Sequence, residues 1–190
     1  GTLMKEEADA FQDKFNSFSE LIGQVLNEES GFIRDLASKT SHVRNWLFMG
    51  KGIYYPIALE SALKMKEVTY LHAEGLPAGF LKHGTLAMVD KDMYSLFFLP
   101  YKEDTELYHS TLMAIEEVKA RNGKVIAFCA EGDEEIRGLL DHEFIIPKSD
   151  PELTPLIQLI IAQLFSYYSA LNLGLNIDKP RNLAKSVTVG

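Results

Sequence analysis

The sequence holds a single cysteine, Cys129, among its 190 residues. One thiol excludes a disulfide framework within the chain and fits a reducing cytoplasm. Positive charge is also scarce. Lys and Arg number 19 against 27 Asp and Glu, for a net charge of −8 and a pI near 5.1. An acidic balance argues against nucleic acid or an anionic membrane as the main partner, since phosphates attract basic surfaces. A small phosphorylated ligand stays compatible, because it needs only a local cluster of positive charge or backbone N–H groups. Long hydrophobic runs are missing as well. Leu156–Phe165 is short and is interrupted by Gln158 and Gln163, so no transmembrane span is expected. The opening GTLMKEEADA does not read as a signal sequence.

Several catalytic signatures are lacking too. His42, His109 and His142 have no metal-like spacing with other ligands, and neither a GxxxxGK[ST] phosphate loop nor a GxSxG elbow occurs. Gly50-Lys51-Gly52 has the place of a dinucleotide fingerprint, but Tyr55 stands where the third glycine belongs. The plain reading is a tight strand-to-helix turn, and the alternative is a turn whose backbone approaches a sugar.

What remains is an ordinary globular composition, 46% hydrophobic and 11% aromatic. Apolar residues at helical spacing predict two helices over residues 3–40. A strand–helix rhythm follows. Strands are predicted at Trp46–Met49, Ser95–Leu99, Val125–Cys129 and Phe144–Ile146. Helices are predicted over Pro56–Leu71, Thr105–Asn122, Glu134–Leu140 and Pro155–Leu173, with Gly123 as a C-cap and residues 76–86 as a loop. Alternation of this kind predicts an α/β fold of three layers, a mostly parallel sheet flanked by helices. Ligands in such sheets bind beyond the carboxyl ends of the strands, which points to Gly50–Tyr54 and the loops after Leu99 and Cys129. The expected organisation is N-terminal helices at 1–40, a core domain at 41–174 and a tail at 175–190.

Ionisable groups crowd residues 60–83. Glu60, Lys64 and Glu67 share one helix face, either as a solvated salt-bridged stripe or as working groups. Lys82-His83 lies in a glycine-containing segment, and histidine moves protons near neutral pH. In the tail, Lys185 stands among Leu183, Val187 and Val189, a pattern suggesting that the tail packs back onto the domain.

GKGIYYPIALESALKMKEVTYLHAEGLPAGFLKHGTLAMVD and the closing DKPRNLAKSVTV strongly resemble the glutamine–fructose-6-phosphate aminotransferase family, in its second sugar isomerase (SIS) domain. The likeness spans essentially the whole chain. It implies that Glu67 shuttles a proton between C1 and C2 of the sugar, with Lys64 beside it. It implies that His83 assists ring opening and reaches the site from the partner subunit of a homodimer. Lys185 would be the tail lysine at the sugar site, and the substrates would be fructose 6-phosphate and glucosamine 6-phosphate. Lys64 and Gly50 are the expected substrate contacts. No metal or organic cofactor is implied. The family's glutaminase domain and first SIS domain, with its Ser/Thr-rich phosphate loop, have no counterpart here, so the chain is expected to be part of a longer protein. Phe80 stands where the family has glutamate and Thr85 where it has proline, departures that touch loop geometry. Two other readings stay open: a non-catalytic sugar-phosphate-binding or dimerisation module, and a related SIS deglycase or isomerase.

Overall fold

The computed structural model describes residues 5–147, 149–181 and 183. Among the described residues, five parallel strands form one sheet: β1 (Asn45–Gly50), β2 (His72–Pro77), β3 (Tyr94–Phe97), β4 (Lys124–Ala130) and β5 (His142–Ile146). Their order across the sheet is β2-β1-β3-β4-β5, every neighbour parallel. Four of the five are the apolar runs expected from sequence. Such runs are continuous because a parallel sheet is covered on both faces.

Alternation along each strand divides the core in two. Trp46, Phe48, Leu96, Ile126, Phe128, Phe144 and Ile146 face one side. Leu47, Met49, Phe97, Val125, Ala127 and Cys129 face the other. The first side is covered by α2 (Ser30–Lys39), α3 (Tyr54–Thr69) and α6 (Thr154–Asn172). The second is covered by α4 (Thr105–Lys119), the four-residue α5 (Glu134–Arg137) and two short 3₁₀ turns at 78–83 and 85–88. The chain leaves β1, crosses outward through α3 to edge strand β2, then returns over the opposite face to β3. Right-handed crossovers require that change of face when the direction reverses. The switch point falls between β1 and β3.

The N-terminal helices are α1 (Lys5–Gln24) and α2, joined by a π-helical turn at Val25–Glu29 without a break. Ile33, Leu36 and Ala37 bury α2 in the core, and Lys14 on α1 reaches Asp150 at 2.9 Å.

Three expectations are corrected. Residues 72–77 are a strand that takes in the first two residues of the loop expected at 76–86, and the rest of that loop is largely 3₁₀ helix. Helix α4 stops at Lys119, and Gly123 is not its cap; a Cβ on Gly123 would lie 2.6 Å from Val118 Cγ1, so close packing selects the glycine. Helix α5 ends at Arg137, not Leu140. Helix α6 does pass the length and composition test for a membrane span. It is nonetheless a core helix, with Ile157, Ile161, Ala162 and Phe165 buried.

Candidate active site

Helix α3 carries the central pair. Lys64 and Glu67 lie one turn apart, and their side chains meet with Nζ 2.6 Å from Oε2. Glu60, one turn earlier, stands 3.6 Å from the same ammonium. The opposite face of α3 explains why these groups point outward. Ala58, Ala62, Met65 and Thr69 are buried against β1, β2 and α6, so the charged positions are turned away from the core. The hydrogen bond that Lys64 donates to Glu67 raises the pKa of the ammonium above its ordinary value, and the nearby charges of Glu67 and Glu60 add to it. Lys64 therefore stays protonated beside a carboxylate that is 26% exposed and open to a reactant.

Gly50 sits at the other end of α3. A Cβ there would lie 2.2 Å from the Tyr54 carbonyl oxygen and 2.8 Å from Tyr55 N. The first turn of α3 crowds the end of β1, and only glycine fits. This close approach accounts for Gly50 without a ligand. Glu67 lies thirteen helical steps after Tyr54, about 20 Å along the axis. The structure thus brings Lys64 and Glu67 together and leaves Gly50 at the far end.

Beyond the carboxyl ends of β3, β4 and β5 the surface is acidic. A cleft of about 470 Å³ there is lined by Tyr101, Glu103, Ala130, Glu131, Ile146, Ser149 and Pro151. Asp104 and Glu106 stand at the start of α4, and Lys102 is held by Glu135. Acidic side chains at the start of a helix disfavour a phosphate there.

His83 closes the first 3₁₀ turn after β2. Leu81 and Ala78 are buried beneath it. Lys82 pairs with Glu117 at 2.9 Å, and Phe80, 60% exposed, lies 5.3 Å ring to ring from His83. Both rings face outward. Lys185 lies outside the described residues, as do Val187 and Val189 from the expected tail packing. The tail at 175–190 is expected to contribute to the active site, and its described part reaches α3. There the Arg181 backbone N–H donates to the Tyr70 hydroxyl at 2.7 Å, three positions after Glu67.

A five-stranded parallel sheet of order β2-β1-β3-β4-β5, covered by helices on both faces, defines a three-layer α/β class. A family model described as "SIS domain" matches residues 40–173, and the chain belongs to that family. Among curated relatives, the glutamine–fructose-6-phosphate aminotransferase (isomerizing) of Chlorobaculum tepidum is 45% identical over 99% of this chain and 30% of its own length. That of a Thermus thermophilus strain is 42% identical over 100% of this chain and 31% of its own length. The chain thus spans about 30% of the length of such relatives. A solved structure described as the C-terminal domain of glucosamine–fructose-6-phosphate aminotransferase from Francisella tularensis superposes with a TM-score of 0.83. It is 34% identical and covers 93% of this chain and 49% of that one.

Proposed function

We propose that this chain is the second SIS domain of an isomerising glutamine–fructose-6-phosphate aminotransferase, and that Glu67 is its proton-shuttling base. The observation that carries the reading is the Lys64–Glu67 pair at 2.6 Å, turned outward on α3. Its support is the 45% identity with an aminotransferase of that name.

Converting a 2-keto or 2-imino sugar into an aldose moves one proton. The Glu67 carboxylate takes it from C1, the C1–H electrons form a C1–C2 double bond, and the C2 heteroatom receives the displaced pair and a proton. The C1 hydroxyl then gives up its proton, its electrons close the C1 carbonyl, and Glu67 returns its proton to C2. The Lys64 ammonium offsets negative charge that develops on the enediol oxygens. His83 serves ring opening from a partner subunit, and Lys185 approaches the sugar from the tail. Binding of the phosphate falls to the first SIS domain of the longer protein, since the carboxyl edge here is lined with Glu103 and Glu131. The working form is a homodimer in the cytoplasm, joined to that domain and to a glutaminase domain.

The test is isomerisation of fructose 6-phosphate to glucose 6-phosphate by the protein carrying both SIS domains. Glu67→Gln should lower kcat by roughly 10²- to 10⁴-fold, the contribution of a positioned base. Full activity in the variant would overturn the assignment of Glu67.

A further inference from the structure

We propose that Tyr70 and Arg181 form an anchor that fixes where the C-terminal segment leaves the domain, at the Glu67 end of α3, and that both are positioning residues for the isomerisation. The inference rests on the reading of Glu67 given above, and it concerns residues which that reading leaves without a role.

Tyr70 is the C-cap of α3, with φ 60° and its N–H bonded to the Lys66 carbonyl at 3.0 Å. A left-handed cap is ordinarily glycine or asparagine, and a ring-bearing residue pays a steric penalty there. The structure shows what the ring does in return. The Arg181 guanidinium lies over it, 4.2 Å from the centroid, and the Arg181 backbone N–H donates to its hydroxyl at 2.7 Å. One tyrosine thus holds both the backbone and the side chain of a residue 111 positions away.

The route from α6 to this contact is also built. Gly174, at φ 69°, terminates α6; its N–H bonds to the Leu171 carbonyl, and the Leu175 N–H bonds to the Ala170 carbonyl. This is a Schellman turn, and it reverses the chain. The Lys179 N–H then donates to Asn176 Oδ1 at 3.0 Å, a second turn that brings Arg181 to Tyr70. Two turns and a two-point dock define a path, whereas a frayed terminus needs none of them. Lys185 lies four residues beyond Arg181, an extended reach of about 14 Å at most. From Arg181, chain length alone allows Lys185 to reach α3's last turn.

The sequence supplies its own probe. Trp46 is the only tryptophan, and β1 register pairs it with Ala73, at the same end of the sheet as Tyr70. Cys129 is the only thiol and is 1% exposed, so a Leu183→Cys substitution, at a residue 51% exposed, takes an energy-transfer acceptor alone. Transfer from Trp46 should be high in the labelled parent, intermediate in Tyr70→Phe, which keeps the ring, and low in Tyr70→Leu and Arg181→Ala. In the complete two-SIS-domain protein, Tyr70→Leu and Arg181→Ala should lower kcat for isomerisation about tenfold or more with KM nearly held, as misplacement of a catalytic group does. Arg181→Ala leaves the α3 cap intact and serves if Tyr70→Leu fails to fold. Unchanged transfer in Arg181→Ala would overturn the anchor. Reduced transfer with unchanged kcat would overturn the positioning role. Glu67→Gln, run alongside, separates these results from a failure of the base assignment, because the transfer signal does not depend on Glu67.

Discussion

Asp141 clamps the amino-terminal edge of the sheet, and its titration makes a quantitative prediction. Its carboxylate accepts from Lys119 Nζ at 2.7 Å, Lys124 Nζ at 2.8 Å and the Val125 N–H at 2.9 Å, tying α4 and β4 to the start of β5. Burial alone would raise its pKa. The two ammonium groups and the backbone N–H outweigh that, and the pKa falls from 3.8 to about 2. A depression of this size corresponds to about 2.4 kcal/mol of stability. Partial exposure of the lysines, 29% and 40%, trims the expectation to between about 1 and 2 kcal/mol. The sign follows from linkage. The folded state holds the proton less tightly than the unfolded state, so the contribution is complete above pH 3.8 and is lost as pH falls toward 2. Asp141→Asn should therefore lower the urea midpoint by roughly 0.5–1 M at pH 7. The gap to wild type should close between pH 4 and pH 2. Burial lowers the pKa of His142 and the Asp141 carboxylate partly offsets that, so Asp141→Asn lowers it further and the gap should widen as pH falls below 6.5 before it closes. Equal midpoints at pH 7, or a gap that persists at pH 2, would refute the clamp.

The remaining predictions concern the turn and the cleft. Gly50→Ala forces a methyl group to 2.2 Å from the Tyr54 carbonyl, so urea unfolding should show a loss of about 3 kcal/mol or more, as overpacking does at its upper end. Tyr101→Phe removes the hydroxyl that donates to the Pro147 carbonyl at 2.8 Å and accepts from the Ser149 N–H at 3.0 Å. It should cost about 1–3 kcal/mol in unfolding free energy, together with faster amide exchange near Ser149. Inorganic phosphate should leave the melting temperature of this chain unchanged, because its cleft presents Glu103 and Glu131; a rise would show that the acidic edge binds anions after all.

Much of the fold was legible because its strands are buried on both faces. Trp46–Met49, Val125–Cys129 and Phe144–Ile146 are apolar throughout, and each lies within an observed strand. Strand β2 was not. HAEGLP is polar, with Gly75 in the middle and Pro77 at its end, a composition tolerated because β2 is an edge strand among the described residues. Its glycine answers to α3, whose Leu59 Cα would stand 2.7 Å from a Cβ at Gly75. Without β2, the reversal of the strand order could not be read. The Lys64–Glu67 pair was visible as helical spacing, though spacing alone could not separate a working pair from a solvated stripe. The Tyr70–Arg181 contact had no pattern to announce it, since its partners meet only through the fold. The expected grouping of Gly50 with Glu67 came from a general rule on carboxyl edges, and the length of α3 separates them.

The central claim is that Glu67 carries a proton from C1 to C2. Its most direct test uses fructose 6-phosphate deuterated at C1, incubated with the two-SIS-domain protein and followed by NMR of recovered sugar. Wild type should move the label to C2 or exchange it with water, and Glu67→Gln should leave it at C1. Loss of label from C1 at the wild-type rate in Glu67→Gln would contradict the account.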